Sequence, residues 1–212
     1  MISSVVVVPS APALLPEYVG RVDPLGELRA ASVRAVVAGV AGAERVVLVV
    51  ASDREPRHTR GPLGERIGRS LMALAGVSSF EVAVVPWDAD VPVCRALGEA
   101  LGEGAAGAAT ALVVVGDGSA SRNEKAPGYL DERAAGFDAG LVGALEAGRL
   151  DQLMALDASL AADLLAHGRA PLQVAAAAAG AAGGDGSPWV VRTVEVDDTF
   201  GVLHVIAHLD AH

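Results

Sequence analysis

The chain has 212 residues, 52% hydrophobic and 20% charged, with a mean hydropathy of +0.42. Sixteen Lys and Arg against 26 Asp and Glu leave a formal charge of −10, which excludes a protein that follows nucleic-acid phosphates with a basic face. Two Trp, two Tyr and three Phe leave little for base stacking, and the single cysteine, Cys94, excludes an internal disulfide framework or a Cys-rich zinc module.

From the N-terminus, Val5 to Val8 is a run of only four strongly apolar residues, with Pro9 directly after it. A secretory leader needs about 7–15 apolar residues behind a basic start. The Ala-rich stretch from Ala175 to Ala182 is interrupted by Gly180 and falls short of the ~20 apolar residues of a membrane span. The expectation is a cytoplasmic protein with neither membrane nor nucleic acid as partner.

Four β-branched runs, Val5–Val8, Val46–Val50, Val82–Val85 and Leu112–Val115, have the length and two-sided apolarity of buried parallel strands. Between them the apolar spacing turns helical. Leu25, Leu28, Val33, Val36, Val37 and Val40 form one stripe, with Asp23 and Pro24 as N-cap and first-turn proline. Leu63, Ile67, Leu71 and Leu74 form a second. Asp90 caps a third carrying Val93, Leu97 and Leu101. The alternation predicts an α/β fold with a largely parallel sheet covered by helices on both faces. From Asp131 to Gly180 the chain reads as consecutive helices, the last an Ala-rich one following Pro171. Trp189–Val196 and Val202–Leu209 then alternate as a half-exposed antiparallel hairpin. No repeat is visible, and the one candidate linker, Ala182–Ser187, is short, so residues 1–212 read as one domain.

Sites in open α/β sheets form beyond the carboxyl ends of the strands, which selects the loops Pro9–Gly20, Ala51–Pro62, Pro86–Pro92 and Gly116–Glu132. The first, Pro9-Ser10-Ala11-Pro12-Ala13-Leu14-Leu15-Pro16-Glu17, is stiffened by three prolines. The second mixes charges, so Asp53 and His58 would suit an anion, a metal or a solvated surface. The fourth concentrates Asp117, Ser119, Ser121, Arg122, Asn123 and Lys125, and its small residues free backbone N–H groups for a ligand. It contains neither a Walker pattern nor Gly-x-Gly-x-x-Gly. The alternative is an Ω-like loop packed by its own side chains.

Histidines divide by element. His204 and His208 lie on a strand, where four residues span about 13 Å, so they are read as half-buried sheet residues rather than two ligands of one ion. His167, before Gly168, reads as a helix C-cap.

Val7–Glu17 (Val-Val-Pro-Ser-Ala-Pro-Ala-Leu-Leu-Pro-Glu) resembles the opening of the class III extradiol ring-cleavage dioxygenases, the LigB-like family. Gly116–Asp138 followed by Leu153–Ala175 resembles the family's second block. Gly-Asp-Gly-Ser with Glu-Lys-Ala-Pro-Gly-Tyr-Leu-Asp-Glu-Arg is similar to an actinobacterial group of dioxygenase-subunit-like proteins. The resemblance implies the α/β fold and, for active members, Fe(II) held by two His and one Glu, with a further His as acid and base. Open positions on such a facial triad admit substrate and dioxygen. Carried onto this chain, the first iron histidine falls at Ser10, the second beside Asp53, the acid–base histidine at Ala120 and the late ligand near His167.

Serine is a poor iron ligand and alanine moves no proton. The resemblance therefore implies a member without ring-cleavage activity and without a cofactor. It would retain a small-molecule or partner-binding pocket lined by Ser10, Asp53, Asp117, Ser119, Ala120, Arg122, Lys125 and His167. The alternative is an active enzyme in which Asp53, His58 and His167 hold Fe(II) or another divalent ion, with Arg122 or Lys125 orienting an anionic substrate. A third reading is an interaction protein, since members of this fold occur as paired subunits and as Memo-like proteins. A homodimer is the expected assembly.

Overall fold

The computed structural model describes residues 1–55, 61–181 and 187–212. Six strands form one sheet: β1 (Ile2–Val8), β2 (Arg45–Ala51), β3 (Glu81–Val85), β4 (Thr110–Val115), β5 (Val190–Asp197) and β6 (His204–Asp210), in the order β3-β2-β4-β1-β6-β5. The first four run parallel; β6 is antiparallel to β1, and β5 to β6.

Side chains alternate between the two faces of a strand, and here both faces are dry. Val6, Val8, Leu48, Val50, Val113 and Val115 pack beneath α1 (Gly26–Gly39) and α2 (Leu63–Leu74). Val5, Val7, Val47, Val49, Leu112 and Val114 face the other layer. That layer contains α3 (Val91–Gly104), α4 (Arg133–Glu146), a 3-10 segment (Leu150–Ala155), α5 (Ala158–Asp163) and α6 (Arg169–Ala181). The mixed α/β architecture and the C-terminal hairpin are those expected from the strand runs. No helix among the described residues is long and apolar enough to cross a membrane.

Three local expectations are corrected. The first helix begins at Gly26, not at Pro24. Leu25 is not helical, and the Asp23 carboxylate accepts from Leu25 N at 3.3 Å and pairs with Arg29. The last helix begins at Arg169 rather than after Pro171, which is tolerated inside the first turn because its missing N–H would have no helical partner there. On α3, Asp90 does cap, accepting from Val93 N at 3.1 Å. The buried face, however, is Cys94, Gly98 and Gly102, with Leu97 and Leu101 on its flanks and Val93 exposed.

The reason for that last difference lies in α6, which is buried from Arg169 to Ala179 and lies against α3. A Cβ placed on Gly98 would sit 2.4 Å from Val174 O, and one on Gly102 would sit 2.6 Å from Ala178 O. The two helices touch backbone to backbone, which an alanine-rich helix against glycines allows. Arg169 is 2% exposed and donates to Ala89 O and, at 3.1 Å, to Gln173 Oε1. Gln173 Nε2 in turn bonds Leu156 O at 2.9 Å, tying α6 to the turn before α5. The Cys94 thiol is sealed beside Arg169, and burial lifts its pKa although the arginine's charge opposes the shift. The linker expected at Ala182–Ser187 has residues 182–186 outside the described ones.

Candidate functional site

At the carboxyl end of the sheet, β1 and β4 lie side by side, and Gly116 N donates to Val8 O at 2.9 Å, carrying the ladder one residue past β4. Ser10 and Asp117 each stand two residues past the end of their strand. Asp117 Oδ2 accepts from Ser10 N at 2.8 Å and from Ser10 Oγ at 2.7 Å. Its Oδ1 accepts from His204 Nδ1 at 3.0 Å. A carboxylate only accepts, so Nδ1 carries the hydrogen. Asp117 is 6% exposed and both of its oxygens are occupied.

His204 reaches this point because β6 runs antiparallel to β1, which places its first residue at the sheet edge where β1 and β4 end. Burial works against its imidazolium. The hydrogen bond and charge of Asp117, with the charge of Asp197 on β5, outweigh that cost and raise its pKa above 6.5. His208, on the same strand, bonds Asp210 Oδ1 at 2.9 Å. Both histidines are buried rather than half-buried, since β6 lies between β1 and β5 and its pleat is covered on either side.

Two cavities meet at this edge. The larger, about 440 Å³, is bordered by Ser10, Asp117, Ala120, His167 and His204 together with Pro12, Leu25, Leu63, Leu165, Phe200 and Val202. A smaller one of about 220 Å³ lies between the loops after β1 and β2 and the start of α6, against Ser10, Asp53, Arg54 and His167. His167 borders both. It is not the C-cap of a finished helix: α5 ends at Asp163, and His167 stands immediately before Gly168 and α6. Gly168 is obligatory there, because an added Cβ would meet Asp117 N and O at 2.4 Å. The His167 ring meets Trp87 edge-on at 5.4 Å, and the Arg54 guanidinium lies over Trp87 at 5.3 Å. Burial, reinforced by the charge of Arg54 and only partly offset by Asp53, holds the His167 pKa below 6.5. Its Nε2 is buried without a hydrogen-bond partner among the described residues.

The remaining expected residues have other work. Ser119 N and Oγ donate to Asp138 Oδ1 and Oδ2 at 2.8 and 2.6 Å, and Arg122 donates to Asp138 at 2.7 Å and to Asp198 at 3.0 Å. Gly118 N donates to Leu203 O, Ala120 N to Leu164 O and Arg122 N to Gly201 O. The loop after β4 thus spends these backbone donors on α4, the end of α5 and the turn before β6 rather than on a phosphate cradle. Lys125 is exposed and lies with Asn123, Thr199 and Phe200 at a separate surface depression. Asp53 Oδ1 accepts from Leu63 N at 2.7 Å and so caps α2 across the loop. His58 lies outside the described residues.

A facial iron triad needs three imidazole or carboxylate ligands converging on one point. Among the described residues no three His, Cys, Asp or Glu side chains do so. At the positions where the resemblance would set ligands, the Ser10 hydroxyl is given to Asp117 and Asp53 is turned to the α2 backbone, while Ala120 offers no proton-transferring group. The described residues do not fit an Fe(II) centre.

Sequence reasoning missed His204 as a site residue and Asp138 as the anchor of the loop. The apolar run after Gly201 could have signalled His204, had its pairing with β1 been assumed. A scan against family models finds no match for this chain, and a search of curated proteins finds no significant relative.

Proposed function

We propose that this is a class III extradiol dioxygenase-like protein that lacks iron-dependent ring cleavage and uses the cleft beyond β1, β4 and β6 to bind a small molecule. The observation that carries this reading is the 440 Å³ cavity, whose walls are mainly apolar and converge on the polar cluster of Ser10, Asp117 and His204. Pockets of about 300–1,000 Å³ with a few convergent polar groups are the usual form of ligand sites. The resemblance of Val7–Glu17 and Gly116–Asp138 supplies the family part of the proposal, and the serine and alanine at its metal and acid–base positions supply the loss of chemistry.

The test is anaerobic loading of the purified protein with Fe(II), followed by metal analysis, a melting curve and a catechol-cleavage assay. The expected result is no retained iron, no shift in Tm and no ring-opened product. Stoichiometric iron with ring opening would overturn the proposal in favour of a metalloenzyme. Its ligands would then be sought at Asp53, His58 and His167, of which Asp53 and His167 border the smaller cavity.

A further inference from the structure

We propose that the larger cleft is a binding site for an apolar monocarboxylic acid, its carboxylate received by Nε2 of His204 and its hydrocarbon body lying along Pro12, Leu25, Leu63, Leu165 and Val202. This rests on the reading of the cleft as a ligand site and gives it a ligand class.

The head group follows from which polar atoms remain available. Asp117 already accepts from Ser10 N, Ser10 Oγ and His204 Nδ1, so three of the four lone pairs of this buried carboxylate are taken. Ser10 Oγ is committed to the same carboxylate. The backbone donors of Gly118, Ser119 and Ala120 are spent on Leu203 O, Asp138 and Leu164 O. A phosphate needs several converging N–H groups, and those of Gly118 and Ala120, the glycine and alanine of the loop after β4 on this wall, are already paired. Nε2 of His167 is also unpartnered among the described residues, but it is buried and its charged form is disfavoured, so the charged donor on this wall is the second ring nitrogen of His204. With Nδ1 fixed on Asp117, Nε2 presents a hydrogen to the cavity when the imidazole is charged, and a carboxylate is the acceptor that suits one charged N–H.

The body of the ligand follows from the walls. Apart from the polar cluster and His167, the lining consists of glycine, proline, alanine, leucine, valine and phenylalanine. The loops that form these walls also expose Val22, Tyr129 and Leu130. One charged contact with an extended apolar face describes an organic acid rather than a sugar, a nucleotide or a polyol.

The charged groups around His204 are Asp117 from the β4 loop and Asp197 from β5. His167 borders the same cavity, with Arg54 and Asp53 beyond it. Arg122 is occupied by Asp138 and Asp198. The loop after β1 brings Ser10 to this end, and α1 faces β5 with Glu27 and Arg34.

Titration calorimetry with sodium octanoate and with 1-octanol, a matched acid and neutral alcohol, tests the assignment on the full chain. Octanoate is expected to bind about tenfold or more tightly than octanol at pH 6, the worth of one charged hydrogen bond. Above the His204 pKa its affinity falls about tenfold per pH unit while that of octanol stays level. His204→Asn removes the preference and leaves octanol binding in place. Should that variant fail to fold, the 15N resonance of His204 Nε2 in the wild-type protein gives the same answer, moving with octanoate and not with octanol. Equal binding of acid and alcohol overturns the acid assignment while leaving the cleft a ligand site. Failure of both to bind at millimolar concentration overturns the ligand-site reading as well. A preference for octanoate that survives His204→Asn, with Nε2 unmoved, places the acid elsewhere and also overturns it.

Discussion

Asp138, 2% exposed, accepts three hydrogen bonds from Ser119 and Arg122 and so holds the long loop after β4 against α4. Truncating it leaves a buried hydroxyl and a buried amide without an acceptor and the Arg122 guanidinium with Asp198 alone. Breaking a buried set of this kind costs about 3 kcal/mol, so Asp138→Ala should lower the unfolding free energy by that much, seen as a lower denaturant midpoint at unchanged slope.

The two cleft histidines bend the stability–pH curve in opposite senses. For His204 burial lowers the pKa but Asp117 raises it by more. Its contribution is therefore complete below the unfolded value of about 6.5 and is lost as pH rises through the folded value. For His167 burial and Arg54 depress the pKa, so the fold loses stability as pH drops from about 6.5 toward the lower folded value. Melting curves across pH should show both limbs. His204→Asn should flatten the alkaline one and His167→Asn the acidic one; a variant that changed neither limb would contradict the assignment.

Among the elements, the α3–α6 contact is the most demanding. At Gly98 an added methyl would meet the backbone of Val174 and Ala178, which cannot swing aside as a side chain can. Alanine improves helix propensity by about 1 kcal/mol, yet overpacking of this kind costs about 1–3 kcal/mol and here involves main chain. Gly98→Ala should therefore lower stability, whereas Gly136→Ala on α4, with open space at its Cβ, should raise it. Paired melting curves check both signs. At the junction of β4 and α6, Gly168→Ala should displace Asp117 and His167 together, lowering Tm and weakening binding in the cleft in one variant.

Sequence made some of these elements legible and hid others for a physical reason. The four valine-rich strands and the Asp90 cap are local patterns, and they stand where periodicity sets them. The buried face of α3 was hidden because its partner supplies the constraint: glycine carries no hydropathy signal until α6 is seen resting on it. Ser10 and Asp117 stood in loops picked out by strand ends alone. His204 was out of reach because its bond to Asp117 joins residues 87 positions apart, through a strand order that no local spacing encodes.

At the scale of the whole molecule, the sheet leaves β3 and β5 as its edges. The β5 edge carries Arg192 and Glu195 beside the exposed Val191 and Val196, a mixture of charge and apolar surface that discourages indiscriminate edge pairing. The homodimer expected from sequence is a matter for light scattering: a mass of twice 21.3 kDa at high concentration is the expected result, and monomer throughout would remove it.

The solitary thiol also has a kinetic meaning. Cys94 is wholly covered by the helix pair that walls one side of the sheet, and it has no competitor elsewhere in the chain. In native buffer an alkylating reagent can reach it only when α3 and α6 part, so its labelling rate is a clock for that opening. No engineered probe is needed: the protein carries its own stopwatch at the seam that has to give way before the layer unfolds.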